Sequence, residues 1–179
     1  MAINPEQLVS NYYAPLYRFG LSLSRNEADA GDLVQQTFYT WATKGHQLRD
    51  TSKVKTWLFT TLYRDFLAKK RHTDRFVETD DAADFIEPVH IAPSAIDVLD
   101  AAIVQKALHA LEDRYRAPVT LFYMQQHSYR EIAEILEVPI GTVMSRISRG
   151  KAELRKQLSD VAGIEARKIV QMEGDQSNG

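Results

Sequence analysis

Ser128-Tyr129-Arg130-Glu131-Ile132-Ala133-Glu134-Ile135-Leu136-Glu137-Val138-Pro139-Ile140-Gly141-Thr142-Val143-Met144-Ser145-Arg146 is the stretch that decides the fold. Ser128 and Glu131 stand three apart ahead of an apolar run, the spacing at which each side chain can cap the other's backbone N–H. Ile132, Ala133, Ile135 and Leu136 then give a first short helix its buried side. Glu137-Val138-Pro139 interrupts, and proline suits the first turn of a new helix, where its missing N–H costs nothing. At about 100° per residue, Ile140, Val143, Ile147, Leu154 and Leu158 share one side of that second helix. Thr142, Ser145, Arg146 and Arg149 fall roughly 140° away by the same arithmetic. Two helices on so brief a turn form a helix-turn-helix, which lays its second helix in the major groove of DNA. Arginine can bond guanine edges or phosphates, and hydroxyls reach either. The predicted DNA face is therefore Thr142, Ser145, Arg146 and Arg149, with Lys151 beside them. An ordinary helical hairpin with an exposed polar face is the bland alternative.

Upstream of this motif the pattern stays helical. Ile103, Val104, Ala107, Leu108 and Leu111 mark an amphipathic helix, and Pro118 is expected to open another running to about Gln125. Further back, Asp74 to Asp97 holds Asp80-Asp81, Asp84, Glu87, Pro88 and Pro93 with few large apolar residues. Like charges extend such a segment and prolines discourage a helix, so 74–98 reads as an acidic linker. Before it, Ser24-Arg25-Asn26-Glu27 fits a second capping box with Ser24 as N-cap. Ala30, Leu33, Val34, Phe38 and Trp41 make the buried side of the helix that follows. Asp32, Gln35, Gln36, Tyr39 and Thr43 make its polar face, which would repel DNA and suits a protein partner better. A last long helix begins near Thr51 or Ser52. It carries Lys53, Lys55, Arg64, Lys69, Lys70 and Arg71, balanced within 53–71 only by Asp65. Phe59, Tyr63 and Phe66 line one stripe of it, more in the manner of core than of a stacking platform. Cations beside aromatics are nonetheless what single-stranded nucleic acid requires. The predicted fold is all-α: two small helical bundles joined by a flexible acidic linker, the second containing the helix-turn-helix. The expected divisions are 1–73, 74–98, 99–160 and a tail, 161–179, partly disordered.

Composition narrows the function classes. The chain has 179 residues, 44% hydrophobic and 26% charged, which excludes wholesale disorder, collagen-like repeats and a coiled-coil rod. It has no cysteine, so disulfides, thiolate zinc sites, thiolate catalysis and iron–sulfur clusters are excluded. No apolar run approaches the roughly 20 residues of a membrane helix, and Met1 to Glu6 lacks the pattern of a secretory leader. No membrane insertion is expected, and the cytoplasm is the expected compartment. His46, His72, His90, His109 and His127 are scattered without ligand spacing, no phosphate-binding glycine loop is present, and Ser128 serves better as a cap than as a nucleophile. Neither catalysis nor a metal or cofactor is expected. Charge is uneven: +4 over 1–73, −7 over 74–100 and +1 over 101–179, within a total of −2. A self-sufficient DNA-binding domain is usually far more basic, because phosphate neutralisation supplies most of its affinity.

These residues resemble the extracytoplasmic-function (ECF) group of bacterial sigma factors. Asp32-Leu33-Val34-Gln35-Gln36-Thr37-Phe38 looks like the family's D-L-V-Q-E-T-F stretch. The resemblance implies that Asp32, Gln35 and Gln36 meet the clamp helices of the polymerase β′ subunit. Trp57-Leu58-Phe59 resembles the opening of the helix that recognises and melts the minus-ten element. That implies DNA contacts from Lys55, Trp57, Arg64, Lys69, Lys70 and Arg71. Tyr129 to Ala133 and Gly141 to Arg146, with Arg149, resemble the helix-turn-helix that reads the minus-thirty-five element. The likeness covers about residues 5–73 and 99–160. It implies core RNA polymerase (β′ clamp helices and β flap) and promoter DNA as partners, with an anti-sigma factor as a further one. The chain departs from the pattern at Gln36 (usually Glu), at Val54 (commonly aromatic), at Leu62, Tyr63, Arg64 and Ala68 (usually A-R-N and then Asp) and at Glu137 (usually Gly). A non-glycine at 137 must accept a left-handed conformation or alter the turn. The function implied is a transcription initiation factor whose two modest DNA contacts gain strength by being tethered to one large partner. A stand-alone helix-turn-helix regulator acting without polymerase is the alternative, and a sigma-like adaptor that only sequesters polymerase is a further one.

Overall fold

The computed structural model describes the backbone of residues 4–74 and 95–176 and the side chains of 4–74 and 102–160. All regular structure in those residues is helical. The helices are α1 (Pro5–Ser24), α2 (Glu27–Lys44), α3 (Val54–Asp74), α4 (Ala95–Ala110), α5 (Asp113–Val119), α6 (Tyr129–Leu136) and α7 (Ile140–Gln176). The acidic segment expected to be a linker falls mainly on residues outside this description, and Ala95 to Val98 already belong to α4. The backbone of α7 stays helical to Gln176, well past residue 161, at which the tail was expected to begin.

Local chemistry sets the helix ends. Asn4 caps α1 by accepting from the Glu6 and Gln7 N–H groups at 2.9 and 3.5 Å, with Pro5 in the first turn. The break between α1 and α2 differs from the expected Ser24 cap. Leu16, Phe19 and Leu23 keep α1 buried through Ser24, and Arg25 then turns left-handed at φ 57°. Asn26 is the cap, accepting from the Asp29 N–H at 3.0 Å, while the Ser24 hydroxyl donates to the Asn26 carbonyl at 3.0 Å. Two good capping residues stand two apart here, and the burial of Leu23 decides between them. Asp50 begins the approach to α3: it accepts from the Ser52 N–H at 3.0 Å and the Ser52 hydroxyl at 2.6 Å. Those bonds hold its carboxyl below the usual carboxylate range.

In the second half, Pro118 does not open a helix. It lies inside α5, whose chain then widens into a single π turn over Thr120–Met124, closed by the Gln125 N–H donating to the Thr120 carbonyl at 3.2 Å. A proline removes one helical hydrogen bond, and an irregular turn beside it is the usual consequence. The capping box at Ser128 forms as expected. The Glu131 carboxylate accepts from the Ser128 N–H at 2.7 Å, and the Ser128 hydroxyl accepts from the Glu131 N–H at 3.2 Å. Glu137 accepts the left-handed conformation (φ 55°, ψ 44°), and its N–H donates to the Ala133 carbonyl. Pro139 sits just before α7, its carbonyl receiving the Thr142 and Val143 N–H groups at 2.9 and 3.2 Å.

One apolar core runs through both halves. Leu16, Phe19, Leu33, Val34, Leu58, Phe59 and Leu62 from α1 to α3 share it with Ala117, Leu121, Ile132, Ile135, Val143 and Ile147 from α5 to α7. Each fully buried Leu, Ile or Phe contributes about 1.5–3 kcal/mol relative to exposure. The two bundles are therefore packed on each other rather than merely tethered. Arg116 is the largest buried side chain among the described residues, at 1% exposure. It donates to the carbonyls of Leu108 (3.1 Å), His109 (3.2 Å) and Leu111, and pairs with Asp113 at 2.9 Å. Leu108 and His109 lie in the last turn of α4 and Leu111 just beyond it, so the guanidinium fastens the end of α4 to α5. Close packing of α7 on α5 needs Gly150, where a Cβ would stand 2.6 Å from Val119 Cγ2.

Candidate polymerase and nucleic-acid surfaces

The polar face of α2 is exposed as the spacing required. Leu33, Val34 and Thr37 are buried, whereas Asp32, Gln35, Gln36 and Tyr39 face outward, Tyr39 at 66% exposure. These four residues, with Asp65, Ala68 and Lys69 of α3, line an open groove of about 600 Å³. Lys69 Nζ lies 3.6 Å from Asp32 Oδ2 across it. Burial pushes the Asp65 carboxyl up, with Lys69 and Lys44 opposing, and its Oδ2 has no hydrogen-bond partner among the described residues. The groove presents the amides of Gln35 and Gln36, the carboxyl groups of Asp32 and Asp65, the Lys69 ammonium and the Tyr39 phenol.

The cationic side of α3 is placed differently from a free DNA face. Lys55 donates to the Gln125 carbonyl at 2.7 Å. Arg64 pairs with Glu137, its Nε at 2.8 Å from the carboxylate. Lys70 pairs with Asp113 at 2.5 Å, and that carboxylate raises the Lys70 ammonium above its ordinary pKa. Three of the six predicted DNA-facing side chains of α3 are thus held by the α4–α7 half of the chain. Of the others, Lys69 reaches Asp32, Arg71 is exposed, and half-buried Trp57 stands edge-on to Trp41 at 5.2 Å. Within the aromatic stripe Phe59 is fully buried, as core, while Tyr63 and Phe66 are half-buried.

On α7, Val143 and Ile147 are buried, while Ser145, Arg149 and Lys151 are exposed. Thr142 and Arg146 are half-buried. Arg146 comes close enough to α3 for its charge to act on the Tyr63 hydroxyl, whose pKa burial raises and Arg146 opposes. Ile140 was expected in the core but is 49% exposed, and Met144 one turn on is 51% exposed. The core stripe begins only at Val143, and Ile140, the first residue of α7, lies outside it. Val104 is likewise partly exposed, at 37%, where α4 was expected to bury it. Sequence reasoning missed Asp113, Gln125 and Glu137 as partners of the α3 cations; no local pattern pairs residues some forty to seventy positions apart.

This arrangement, a polar groove on one helix bundle and a helix-turn-helix on the next, defines the class. Residues 8–76 match the family model for sigma-70 region 2, and residues 101–154 match that for sigma-70 region 4. The ECF RNA polymerase sigma factor SigW of Bacillus subtilis is 31% identical over 166 residues, which cover 86% of this chain and 88% of SigW. EcfG of Rhodopseudomonas palustris, another ECF sigma factor, is 30% identical over 139 residues, covering 78% of this chain and 76% of EcfG. Among solved structures, the sigma factor RpoE of Bartonella quintana, in complex with the anti-sigma factor NepR, superposes with a TM-score of 0.73. The two chains are 34% identical, over 86% of this chain and 96% of RpoE. The chain belongs to the ECF sigma factors. It is a transcription initiation factor that binds RNA polymerase and directs it to promoter DNA. No helix among the described residues is long and apolar enough to cross a membrane.

Proposed function

We propose that the sigma activity is divided among three surfaces of this chain. Asp32, Gln35 and Gln36 dock on the polymerase clamp helices. Lys55, Trp57, Arg64, Lys69, Lys70 and Arg71 serve the minus-ten strand, and Thr142, Ser145, Arg146, Arg149 and Lys151 serve the minus-thirty-five duplex. The observation that carries the docking assignment is the exposed α2 face opposite the buried Ala30, Leu33, Val34 and Thr37. Among the described residues nothing but Lys69 uses Asp32, and no other helix covers Gln35 or Gln36. For α7, exposed Ser145, Arg149 and Lys151 over buried Val143 and Ile147 leave hydroxyl, guanidinium and ammonium groups turned to solvent. Its place is the cytoplasm, and it initiates transcription without catalysing a reaction. An anti-sigma factor is the further partner we propose, since RpoE, 34% identical to this chain, was solved in complex with one.

Two variants test the assignment with purified core polymerase and run-off transcription. Arg146→Ala with Arg149→Ala should abolish dependence on the upstream element while leaving co-purification with core polymerase intact. Asp32→Ala with Gln35→Ala should weaken co-purification. Loss of both properties in the α7 variant, or unchanged co-purification in the α2 variant, overturns the corresponding surface.

A further inference from the structure

The outward face of α7 is not the one its polar residues alone would pick. Val143, Ile147 and Gly150 are buried, and at about 100° per residue the direction opposite them runs close to Gly141, Ser145 and Ser148. Thr142 and Arg146 lie off that line and are half-buried. Small residues therefore run along the middle of the exposed face, and a Cβ added at Gly141 would meet nothing within 4 Å. The long side chain exposed beside them is Met144, at 51%. Ile140, one turn before it, is 49% exposed. Neither packs on an apolar cluster of the described residues.

Single apolar side chains at a surface are ordinary, but Met144 stands where a helix-turn-helix sets its second helix against base edges. A methionine there can read one feature of the major groove. Its thioether is at best a weak acceptor, and it donates no hydrogen bond. Set against the edge of guanine, cytosine or adenine, it would take donors or acceptors out of water without partnering them. The C5 methyl of thymine is the apolar feature of the groove, and contact with it removes both apolar surfaces from water at once. The unbranched, flexible side chain can adjust to meet that methyl from the flank of the helix. We propose that Met144 is a specificity-determining residue for the upstream element: it selects a thymine, on either strand, through that base's methyl group.

The inference rests on the reading of α7 as the helix that meets the upstream duplex, and the test separates the two. Holoenzyme assembled from core polymerase and the full chain is bound to a promoter selected by run-off transcription. Each thymine of the upstream element is replaced in turn by uracil, which lacks only the methyl. At one or two positions uracil should weaken binding by the wild-type holoenzyme about fourfold, as expected for one buried methyl. Met144→Ala should bind the thymine and uracil templates equally well, whereas Met144→Leu, still apolar and of similar size, should keep most of the preference. Because Met144 is exposed, both variants should keep the wild-type thermal midpoint and co-purify with core polymerase. Wild-type indifference to uracil at every position, or an upstream element without A·T pairs, overturns the methyl contact. A uracil effect undiminished in Met144→Ala overturns the assignment to Met144. Indifference to a scrambled upstream element is a separate result, which overturns the placing of α7 on the duplex and the inference with it.

Discussion

Lowering the pH should loosen this protein through one histidine. The His127 side chain has no exposed surface, lies edge-to-face on Phe59, and has no hydrogen-bond partner among the described residues at either ring nitrogen. Burial first, and the Lys55 ammonium second, lower its pKa from 6.5 to about 4, with Glu131 opposing from 3.9 Å. An unfolded chain takes up the proton near pH 6.5 and the folded one only near pH 4. The stabilisation is therefore complete above pH 6.5 and is lost as the pH falls through that window. The full difference is about 3 kcal/mol; relative to pH 8, about 0.8 kcal/mol is lost at pH 6 and about 2 kcal/mol at pH 5. Urea unfolding at pH 8, 6 and 5 measures it, with His127→Leu as the comparison, because every other titrating group is common to both proteins. Burial also lowers the pKa of His109, which adds the same sign to both curves. The wild type should lose about 2 kcal/mol more than His127→Leu between pH 8 and pH 5. Equal losses in the two proteins would refute the claim that the ring is buried neutral.

Gly150→Ala would ordinarily stabilise a helix interior by up to about 1 kcal/mol. Here the new methyl would sit 2.6 Å from Val119 Cγ2 and 3.1 Å from Tyr115 Cβ, so overpacking of about 1–3 kcal/mol wins and the thermal midpoint should fall. A rise in the midpoint would show that α5 and α7 are less tightly joined than described. Arg116→Ala removes the donor to three carbonyls at the α4–α5 joint and should cost about 3 kcal/mol or more in urea unfolding, whereas a surface arginine such as Arg18 should cost under about 0.5 kcal/mol.

Most of the helical architecture was legible because its causes are local. The Ser128 capping box, the buried Ala30, Leu33 and Val34 beneath the α2 polar face, and the short α6–α7 joint all follow from residues within two turns of one another. Glu137 was legible as a choice between strain and an altered turn, and the backbone takes the strained option. The errors have nonlocal causes. Ser24 and Asn26 are equally good caps, and only the packing of Leu23 against the rest of the core separates them. Ile140 has the correct angle for burial but stands at the first position of α7, where the core does not reach it. Pairings such as Lys55 with Gln125, or Phe59 with His127, join residues nearly seventy positions apart, so periodicity could place each on a helix face but not bring the faces together.

Run-off transcription by bacterial core polymerase on a randomised promoter library, with and without the full chain, bears on the central assignment most directly. The account predicts starts that appear only with the chain and share two short elements at a fixed separation, while the chain alone holds duplex weakly. Starts indifferent to the chain, or tight duplex binding without polymerase, would contradict it.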